Sequence, residues 1–143
     1  VATNADLTVG GNFVFNGRNG NDTLEDGNHN INIAGSMFLR SVNNFANDHG
    51  LTIAGDLNFI TLLESQATQF RNNGTFFLAG HFTYLGGSGV DEILFNSGGV
   101  NILGTTYISM GEGIGSATSQ RVRLTGGFAS SSLAVVAVCR LCR

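Results

Sequence analysis

Apolar residues recur along the chain in a short pattern that holds glycine at a fixed position. The pattern reads apolar, any, apolar, small or any, Gly, any, apolar, and glycine fills its fifth place every time. Successive copies are 24, 20, 25, 24 and 22 residues apart, so the repeat is about 23 residues long. Six copies fit the pattern, and they begin at Leu7, Ile31, Leu51, Phe76, Val100 and Val122.

Each copy predicts two short strands joined at a corner. Alternation of apolar and other residues before the glycine is typical of a strand with one face turned inward. The glycine is expected to form the corner, where a residue without Cβ adopts backbone angles that others avoid. Alternation resumes after the corner, and a more variable third stretch closes the unit. In three copies that stretch holds an aromatic residue before Asn or Gly, namely Phe45, Phe70 and Phe95.

Units of this kind bury their apolar faces only when they stack on one another. The sequence therefore predicts an all-β fold, a single right-handed parallel β-solenoid of about six coils with ~23 residues per coil. The coils span residues 1–128, and residues 129–143 form a C-terminal strand that either plugs the open core or docks onto another molecule. The predicted inward-facing residues are Val9, Phe13, Ile33, Met37, Ile53, Leu57, Leu78, Phe82 and Ile102.

A β-sandwich is the structural alternative, but it gives no reason for glycine at one place in a repeat this long. The absence of proline favours the solenoid, because every strand inside the stack needs its backbone N–H for pairing. The 21 glycines and 16 asparagines argue against a helical bundle.

Charge and hydropathy exclude two classes of partner. Only 12% of residues are charged, the formal net charge is −3, and all seven basic residues are arginine. Nucleic-acid binding needs a basic surface, so we expect no nucleic-acid partner. No apolar run approaches the ~20 residues of a membrane-spanning helix, so we expect no membrane span.

The repeat segments 7–13, 51–57 and 70–76 resemble the β-strand repeats of filamentous-haemagglutinin-like secreted bacterial surface proteins. The resemblance covers roughly residues 5–128 and lies in the style of the repeat. It implies an extracellular or cell-surface, fibrous β-helix with an adhesive or structural role.

Candidate sites for chemistry are weak. Segment 86–94 is similar to the calcium-binding nonapeptide of repeats-in-toxin proteins, and segment 17–25 matches it with one glycine missing. Asp91 and Asp22 would supply the carboxylates. An ordinary Gly/Asp corner is the alternative that we expect, so we predict no bound metal and no cofactor.

Other reactive residues lack the partners that their chemistry needs. No histidine lies in a recognisable catalytic motif, so we predict no catalytic residues and no enzyme activity. Cys139 and Cys142 could form half of a zinc site or a redox pair, but the second half is missing, and their pairing stays open. Asn21 and Asn73 each begin a glycosylation sequon, and whether either is modified also stays open.

The two halves of the chain differ in charge. Residues 1–70 hold seven acidic and two basic residues, whereas residues 71–143 hold three acidic and five basic ones. Position in the sequence corresponds to height along a solenoid, so an acidic half and a basic half would lie at opposite ends of its axis. This arrangement favours head-to-tail stacking.

The sequence thus predicts a structural subunit of an extracellular filament or surface fibre. Its predicted self-assembly interface comprises Leu7, Arg121, Arg123, Leu133, Val135, Val136, Val138 and Arg140. A monomeric adhesin-type module recognising a glycan or a surface is the main alternative, followed by a polysaccharide-active enzyme.

Overall fold

The computed structural model describes residues 4–18, 21–61, 67–87, 89–96, 99–112, 121–124 and 128–138. All regular elements in these ranges are strands, and they contain no helix of the length and apolarity needed to cross a membrane. The strands are β1 (Leu7–Val9), β2 (Phe13–Asn16), β3 (Thr23–Glu25), β4 (Asn30–Ile33), β5 (Met37–Arg40), β6 (Asn44–Asn47), β7 (Gly50–Ile53), β8 (Leu57–Ile60), β9 (Thr68–Asn72), β10 (Thr75–Leu78), β11 (Phe82–Leu85), β12 (Asp91–Phe95), β13 (Val100–Glu112), β14 (Arg121–Leu124) and β15 (Phe128–Val138).

The strands form two parallel sheets that wind as a β-solenoid, which confirms the predicted fold. One sheet has the order β1-β4-β7-β10-β13-β11-β8-β5-β2, with β15 added to β13, and the other has the order β14-β12-β9-β6-β3. Each coil thus contributes a first-row strand such as β1, a second-row strand such as β2 and a third-row strand such as β3. About four turns have three separate strands each, from β1–β3 to β10–β12, and β13, β14 and β15 continue the stack. The count therefore differs slightly from the six coils predicted from the repeats.

The solenoid interior is filled by the inward-facing columns of all three rows. Seven of the nine predicted inward residues are fully buried, and the other two, Val9 and Phe13, pack against the core from the first coil. Aromatic rings stack between coils, with ring centroids 5.0 Å apart for Phe45 and Phe70 and 5.1 Å apart for Phe59 and Tyr84. Each coil therefore buries its apolar face against the coils beside it, as a repeat protein requires.

The third row does not align all three of its aromatic residues. Phe45 and Phe70 are in register. Phe95, however, lies opposite Asn72, and Ile93 takes the place opposite Phe70. A shift of two residues keeps the same side chains facing inward, so the hydrophobic pattern alone does not reveal it.

The sixth copy of the repeat is wrongly framed. Val122 was expected to begin a first-row strand, but β14 belongs to the third row and places Val122 opposite Ile93. The first-row position opposite Val100 is taken by Phe128 instead. The spacing to the last repeat is therefore 28 residues. The extra residues lie between the second and third rows, since Val122 follows Thr106 by 16 residues whereas Ile93 follows Phe82 by 11.

Glycines of the repeat form a column at the first corner, between the first and second rows. The N–H of each donates to the carbonyl of the glycine one coil earlier: Gly35 to Gly11 (3.0 Å), Gly55 to Gly35 (2.9 Å), Gly80 to Gly55 (3.0 Å) and Gly104 to Gly80 (3.1 Å). A Cβ on any of these four donors would lie less than 3.0 Å from the preceding glycine's backbone.

This column corrects the reason given for glycine in the sequence analysis. Among the described glycines only Gly27 and Gly99 have a positive φ, so the repeat glycines do not adopt backbone angles reserved for glycine. They are needed because neighbouring coils approach each other too closely at the corner for any side chain to fit.

Candidate functional site

A ladder of polar side chains runs beside the glycine column. We call it the polar ladder, and its members follow the repeat glycines directly in sequence: Asn12, Ser36, Asp56, His81 and Thr105. Each of the first four members accepts a hydrogen bond from the backbone N–H of the member one coil later, at 2.8, 3.0, 2.8 and 3.0 Å from the first pair to the last. The ladder therefore ties every coil to the next at the same corner.

The glycine column makes room for the polar ladder. A Cβ on Gly35 would collide with Oδ1 of Asn12, and a Cβ on Gly80 would collide with Oδ1 of Asp56. The acceptor atom of one coil thus takes up the space that a side chain would need on the next. Sequence reasoning missed the ladder, although a signal existed: in the five copies that are framed correctly, the residue after the glycine carries a hydrogen-bond acceptor.

A second polar group closes the third corner, between the third row and the next coil. The fully buried Asp26 accepts hydrogen bonds at Oδ2 from the backbone N–H groups of Asp48 (2.9 Å) and His49 (2.8 Å). One coil later the buried Nδ2 of Asn47 donates to Oδ1 of Asn72 at 2.5 Å. Buried polar groups are costly unless they are hydrogen-bonded, so these residues stabilise the corner.

A buried cluster joins Thr68, Tyr84 and Asp91 inside the solenoid. The Thr68 hydroxyl donates to Oδ1 of Asp91, so the Tyr84 hydroxyl, 2.6 Å from Thr68 Oγ1, donates to Thr68. Oδ2 of Asp91 has no hydrogen-bond partner in the described part of the chain. Burial raises the pKa of Asp91 to about 6, and burial also raises the pKa of Tyr84.

The two calcium candidates lie in different surroundings. Asp91 is fully buried in the cluster with Thr68 and Tyr84. Asp22, three coils earlier, lies at a partly exposed corner, where its Oδ2 accepts the N–H of Arg18 at 2.8 Å. The structure therefore does not bring the two carboxylates together. Within the ranges that the structure describes, no group of three or more His, Cys, Asp or Glu residues could hold a metal ion.

The sequon asparagine Asn73 belongs to an exposed network on the third row. Its Nδ2 donates to Oδ1 of Asp48 at 2.6 Å, and its Oδ1 accepts from Nδ2 of Asn96 at 3.0 Å. Arg71 forms an ion pair with the same Asp48 carboxylate at 3.2 Å. Asn21, the other sequon residue, is exposed just before β3. Both asparagines therefore lie on the outside of the coil stack.

The predicted interface residues fall at opposite ends of the stack. Leu7 lies on β1, and the described strands provide β1 with one partner, β4. Arg121 and Arg123 lie on β14, in register with Glu92 and Leu94 of β12. Since β14 is the last strand of its sheet and β1 the first of the other, these residues belong to the two terminal coils.

The remaining interface residues, apart from Arg140, lie on β15, which is the last strand added to the first sheet. Leu133 is in register with Thr106 and is 45% exposed. The other three on this strand lie at their register positions beside β13: Val135, Val136 and Val138. Arg140, Cys139 and Cys142 lie outside the residues that the structure describes.

Several large apolar side chains are exposed on the outer surface. Phe77 lies on the first row, and Tyr107 lies in the second-row part of β13, four residues beyond the exposed Leu103. Isolated exposed apolar residues are common in soluble proteins. The rings of Phe77 and Tyr107 lie in different rows of neighbouring coils, and each is exposed enough for a flat ligand to stack against it.

Comparison of the chain with protein-family models, with curated proteins and with solved structures found no match in any of the three. Support for a function therefore comes from the geometry of the coils and their ends. The polar ladder, the third corner and the buried cluster all connect one coil of the chain to another. The terminal coils differ from the inner ones because each is covered by described strands on one side only.

Proposed function

We propose that the chain is a structural subunit of an extracellular filament or surface fibre, and that subunits associate head to tail through the ends of the solenoid. One observation carries the proposal: an inward-facing column is fully buried in the middle of the stack and more exposed in the first and last coils that the structure describes. In register from first coil to last, its members are Phe13, Met37, Leu57, Phe82, Thr106 and Leu133.

Burial along this column depends on having a coil on both sides. The four inner members are at most 1% exposed, whereas Phe13 is partly exposed and Leu133 is 45% exposed. Apolar surface left in water costs roughly 25 cal/mol per Å² relative to its burial. A second copy stacked on either end would extend the column and cover these residues.

The terminal strands also offer backbone groups for pairing. Within the described part of the chain, β1, β2 and β3 pair on one edge only, and so do β14 and β15. Unpaired strand edges recruit further strands. The two ends are different surfaces of the same molecule, so a contact between them does not close into a dimer and instead propagates. This geometry supports a filament.

The proposed extracellular or cell-surface location is supported by the resemblance of the repeats to those of secreted bacterial surface proteins. The weakly charged surface, with 12% charged residues and no lysine, is compatible with a fibre. Location is tested by fractionating the cells that produce the protein and detecting it on their surface with an antibody.

Negative-stain electron microscopy combined with light scattering tests assembly. We expect unbranched filaments whose length grows with protein concentration at constant width. A chain trimmed after Ser132 should stay monomeric, because it lacks the edge that Leu133 and the following residues provide. Phe77→Ser, on the outer surface, is the matched control and should still assemble. A monodisperse monomer at all concentrations would refute the proposal.

A monomeric binding module is the second candidate, favoured by the exposed rings of Phe77 and Tyr107. Aromatic rings pack against flat apolar faces such as those of sugar rings, so the ligand class would be a glycan. Binding to a glycan panel should then be lost in Phe77→Ser and Tyr107→Ser. The same variants leave filament formation intact if the first proposal holds, so the two candidates are separable.

A further inference from the structure

We infer that a second copy stacks on the end formed by β14 and β15 after rotation by one row, so that its β1 adds to β14 in the third row. Its β2 and β3 then add to β15, which begins in the first row at Phe128 and reaches the second row at Leu133. This inference rests on the proposed head-to-tail assembly and specifies its partner, a second copy, and the geometry of the contact.

The end formed by β14 and β15 has a step. Among the described strands the first and second rows hold six positions each, because β15 covers both rows, whereas the third row holds five and ends at β14. The next position along the winding is therefore in the third row, beside β14. A second copy that continues the winding enters there with its first strand, β1. Its next two strands then follow into the first and second rows.

Stacking without rotation leaves a gap at this step. With β1 and β2 added to β15 in their own rows, β3 would lie two levels above β14, about 10 Å away, and no described strand fills the level between them. Both strands would keep an unpaired edge, and backbone groups left unpaired inside a stack are costly. Rotation by one row removes the gap, because each edge strand of one copy then meets an edge strand of the other.

The corner pattern of the sequence recurs at the row change that the rotation requires. Residues 122–128 carry the same pattern of apolar residues and glycine as residues 7–13. In the first five copies the pattern starts in the first row and ends in the second. In the sixth copy it starts on β14 in the third row and ends at Phe128 in the first. The rotated arrangement thus stacks the first copy of the pattern in one molecule on the displaced copy in the other.

The number of residues at the corner agrees with this arrangement. Three residues separate Val9 from Phe13, and three separate Leu124 from Phe128. A register that places Val9 opposite Leu124 therefore also places Phe13 opposite Phe128 without a slip. Both β1 and β2 keep the alternation of inward and outward positions that a parallel neighbour requires.

The unrotated arrangement does not satisfy this count. There Val9 would continue the column that ends at Ser130, and Phe13 would continue the column that ends at Leu133. Two residues separate Ser130 from Leu133, one fewer than separate Val9 from Phe13. The contact would need a β-bulge, as β15 does where it pairs with β13, and the rotated contact needs none.

Gly11 is the residue of the first coil that the contact crowds. It begins the glycine column, and a Cβ on Gly11 meets nothing within 4 Å in the single chain. A Cβ on Gly35, the next member, would lie 2.8 Å from the Gly11 backbone. When the first coil is stacked on another copy, Gly11 takes the place that Gly35 has within the chain. Tolerance of a side chain at Gly11 therefore depends on assembly.

Helical reconstruction of wild-type filaments by cryo-electron microscopy tests the rotation. Each copy adds one position less than six full coils, so we expect neighbouring copies to be related by about one third of a turn and a rise of about 27 Å. A filament without rotation and with a rise of about 29 Å would overturn the inference. That symmetry is expected if residues beyond 138 fill the third-row position beside β14.

Cysteine pairs distinguish the two arrangements in solution. Thr8→Cys and Arg123→Cys lie on adjacent strands of two copies in the rotated arrangement. Thr8→Cys and Ala129→Cys lie on adjacent strands in the unrotated one, since Ala129 ends the column that begins at Thr8. In a chain whose Cys139 and Cys142 are replaced by serine, we expect disulfide-linked oligomers from the first pair and about tenfold fewer from the second. The reverse result would overturn the rotation.

Gly11→Ala separates assembly from folding. We expect its melting temperature, measured on dilute monomer, to equal that of the wild type, and its critical concentration for filament formation to rise about tenfold or more. Gly10→Ala is the matched control, because a Cβ at Gly10 also meets nothing within 4 Å. The next three coils carry alanine at its position: Ala34, Ala54 and Ala79. Normal assembly of Gly11→Ala would contradict the contact.

Failure of the rotation and failure of the proposed function give different results. If filaments form with unrotated symmetry and the cysteine pair at Thr8 and Ala129 cross-links, the rotation is wrong and the filament proposal stands. If the wild type stays monomeric at all concentrations, both are wrong.

Discussion

Oδ1 of Asp56 lies in the space that a Cβ atom on Gly80 would occupy. The same oxygen accepts the N–H of His81 at 2.8 Å, so the carboxylate is held in that position by the coil above it. A Cβ on Gly80 would also collide with the carbonyl oxygen of Gly55. Gly80 therefore lies against both the backbone and a side chain of the preceding coil, and together they leave no room for a Cβ.

Gly80→Ala should destabilise the protein. The added methyl group must displace both the Asp56 carboxylate and the Gly55 carbonyl, so we expect the free energy of unfolding to fall by about 1–3 kcal/mol. Gly10→Ala is the control, because a Cβ at Gly10 meets nothing within 4 Å. It should leave stability unchanged or raise it by up to about 1 kcal/mol. Urea unfolding followed by circular dichroism measures both, and equal effects would contradict the steric account.

Asp56→Ala should weaken the polar ladder without crowding it. The substitution removes the acceptor of the His81 N–H, and we expect a loss of about 1 kcal/mol in the free energy of unfolding. Asp56→Asn retains an Oδ1 acceptor and should lose less. The same urea titration compares the two. If Asn proves as damaging as Ala, the negative charge of Asp56 matters more than its hydrogen bond.

Ile53→Asp should unfold the middle coils. Ile53 is fully buried, so an unpaired charge at that position should lower the free energy of unfolding by more than about 4 kcal/mol, which is enough to unfold the inner coils. Thr52→Asp is the control, since Thr52 is the exposed neighbour on the same strand. We expect its circular dichroism spectrum and melting temperature to stay close to those of the wild type. A folded Ile53→Asp variant would be incompatible with the solenoid core.

Stability should fall as the pH rises from about 4 to about 6 because of Asp91. Its pKa is raised to about 6 in the folded state, above the ordinary value of 3.8, so the folded protein retains a proton that the unfolded chain has released. One unit of pKa corresponds to 1.36 kcal/mol, so the free energy of unfolding should be lower by about 3 kcal/mol above pH 6 and should then stay constant. Asp91→Asn should remove this part of the pH dependence. Parallel curves for wild type and variant would contradict the assignment.

Chelation of calcium should not change the melting temperature. Asp91 is hydrogen-bonded inside the core, and Asp22 accepts the N–H of Arg18, so neither carboxylate is arranged for a cation with the other. Differential scanning fluorimetry with and without EDTA measures the effect. A decrease of several degrees on chelation, abolished by Asp91→Ala, would show that the corner at 86–94 binds calcium after all.

The sequence predicts the fold well because one local pattern repeats with the coil. Alternating apolar residues identify the inward columns, and the confirmed columns include Ile33, Ile53 and Leu78. The misframed sixth copy could have been recognised from its own residues. Gly126 is followed by Gly127, which has no side-chain acceptor, whereas each correctly framed glycine is followed by one.

Contacts between distant residues could not be predicted in the same way. Thr68, Tyr84 and Asp91 come from β9, β11 and β12, and nothing local in the sequence marks them as one buried cluster. The reason for the repeat glycine was likewise hidden, because it depends on the distance between coils. A pattern within one coil indicates where a glycine lies but not which atoms of the next coil exclude a side chain.

Coil length varies most at the link from the second to the third row, whereas the glycine corner stays constant. A three-residue link joins the first and second rows in four coils, at 10–12, 34–36, 54–56 and 79–81. The link from the second to the third row ranges from 41–43 to 61–67. Foreign peptides grafted at this variable link should therefore leave the coils in phase. Neighbouring coils are about 4.8 Å apart, so peptides grafted at this link in successive coils would form a dense row along one side of the protein.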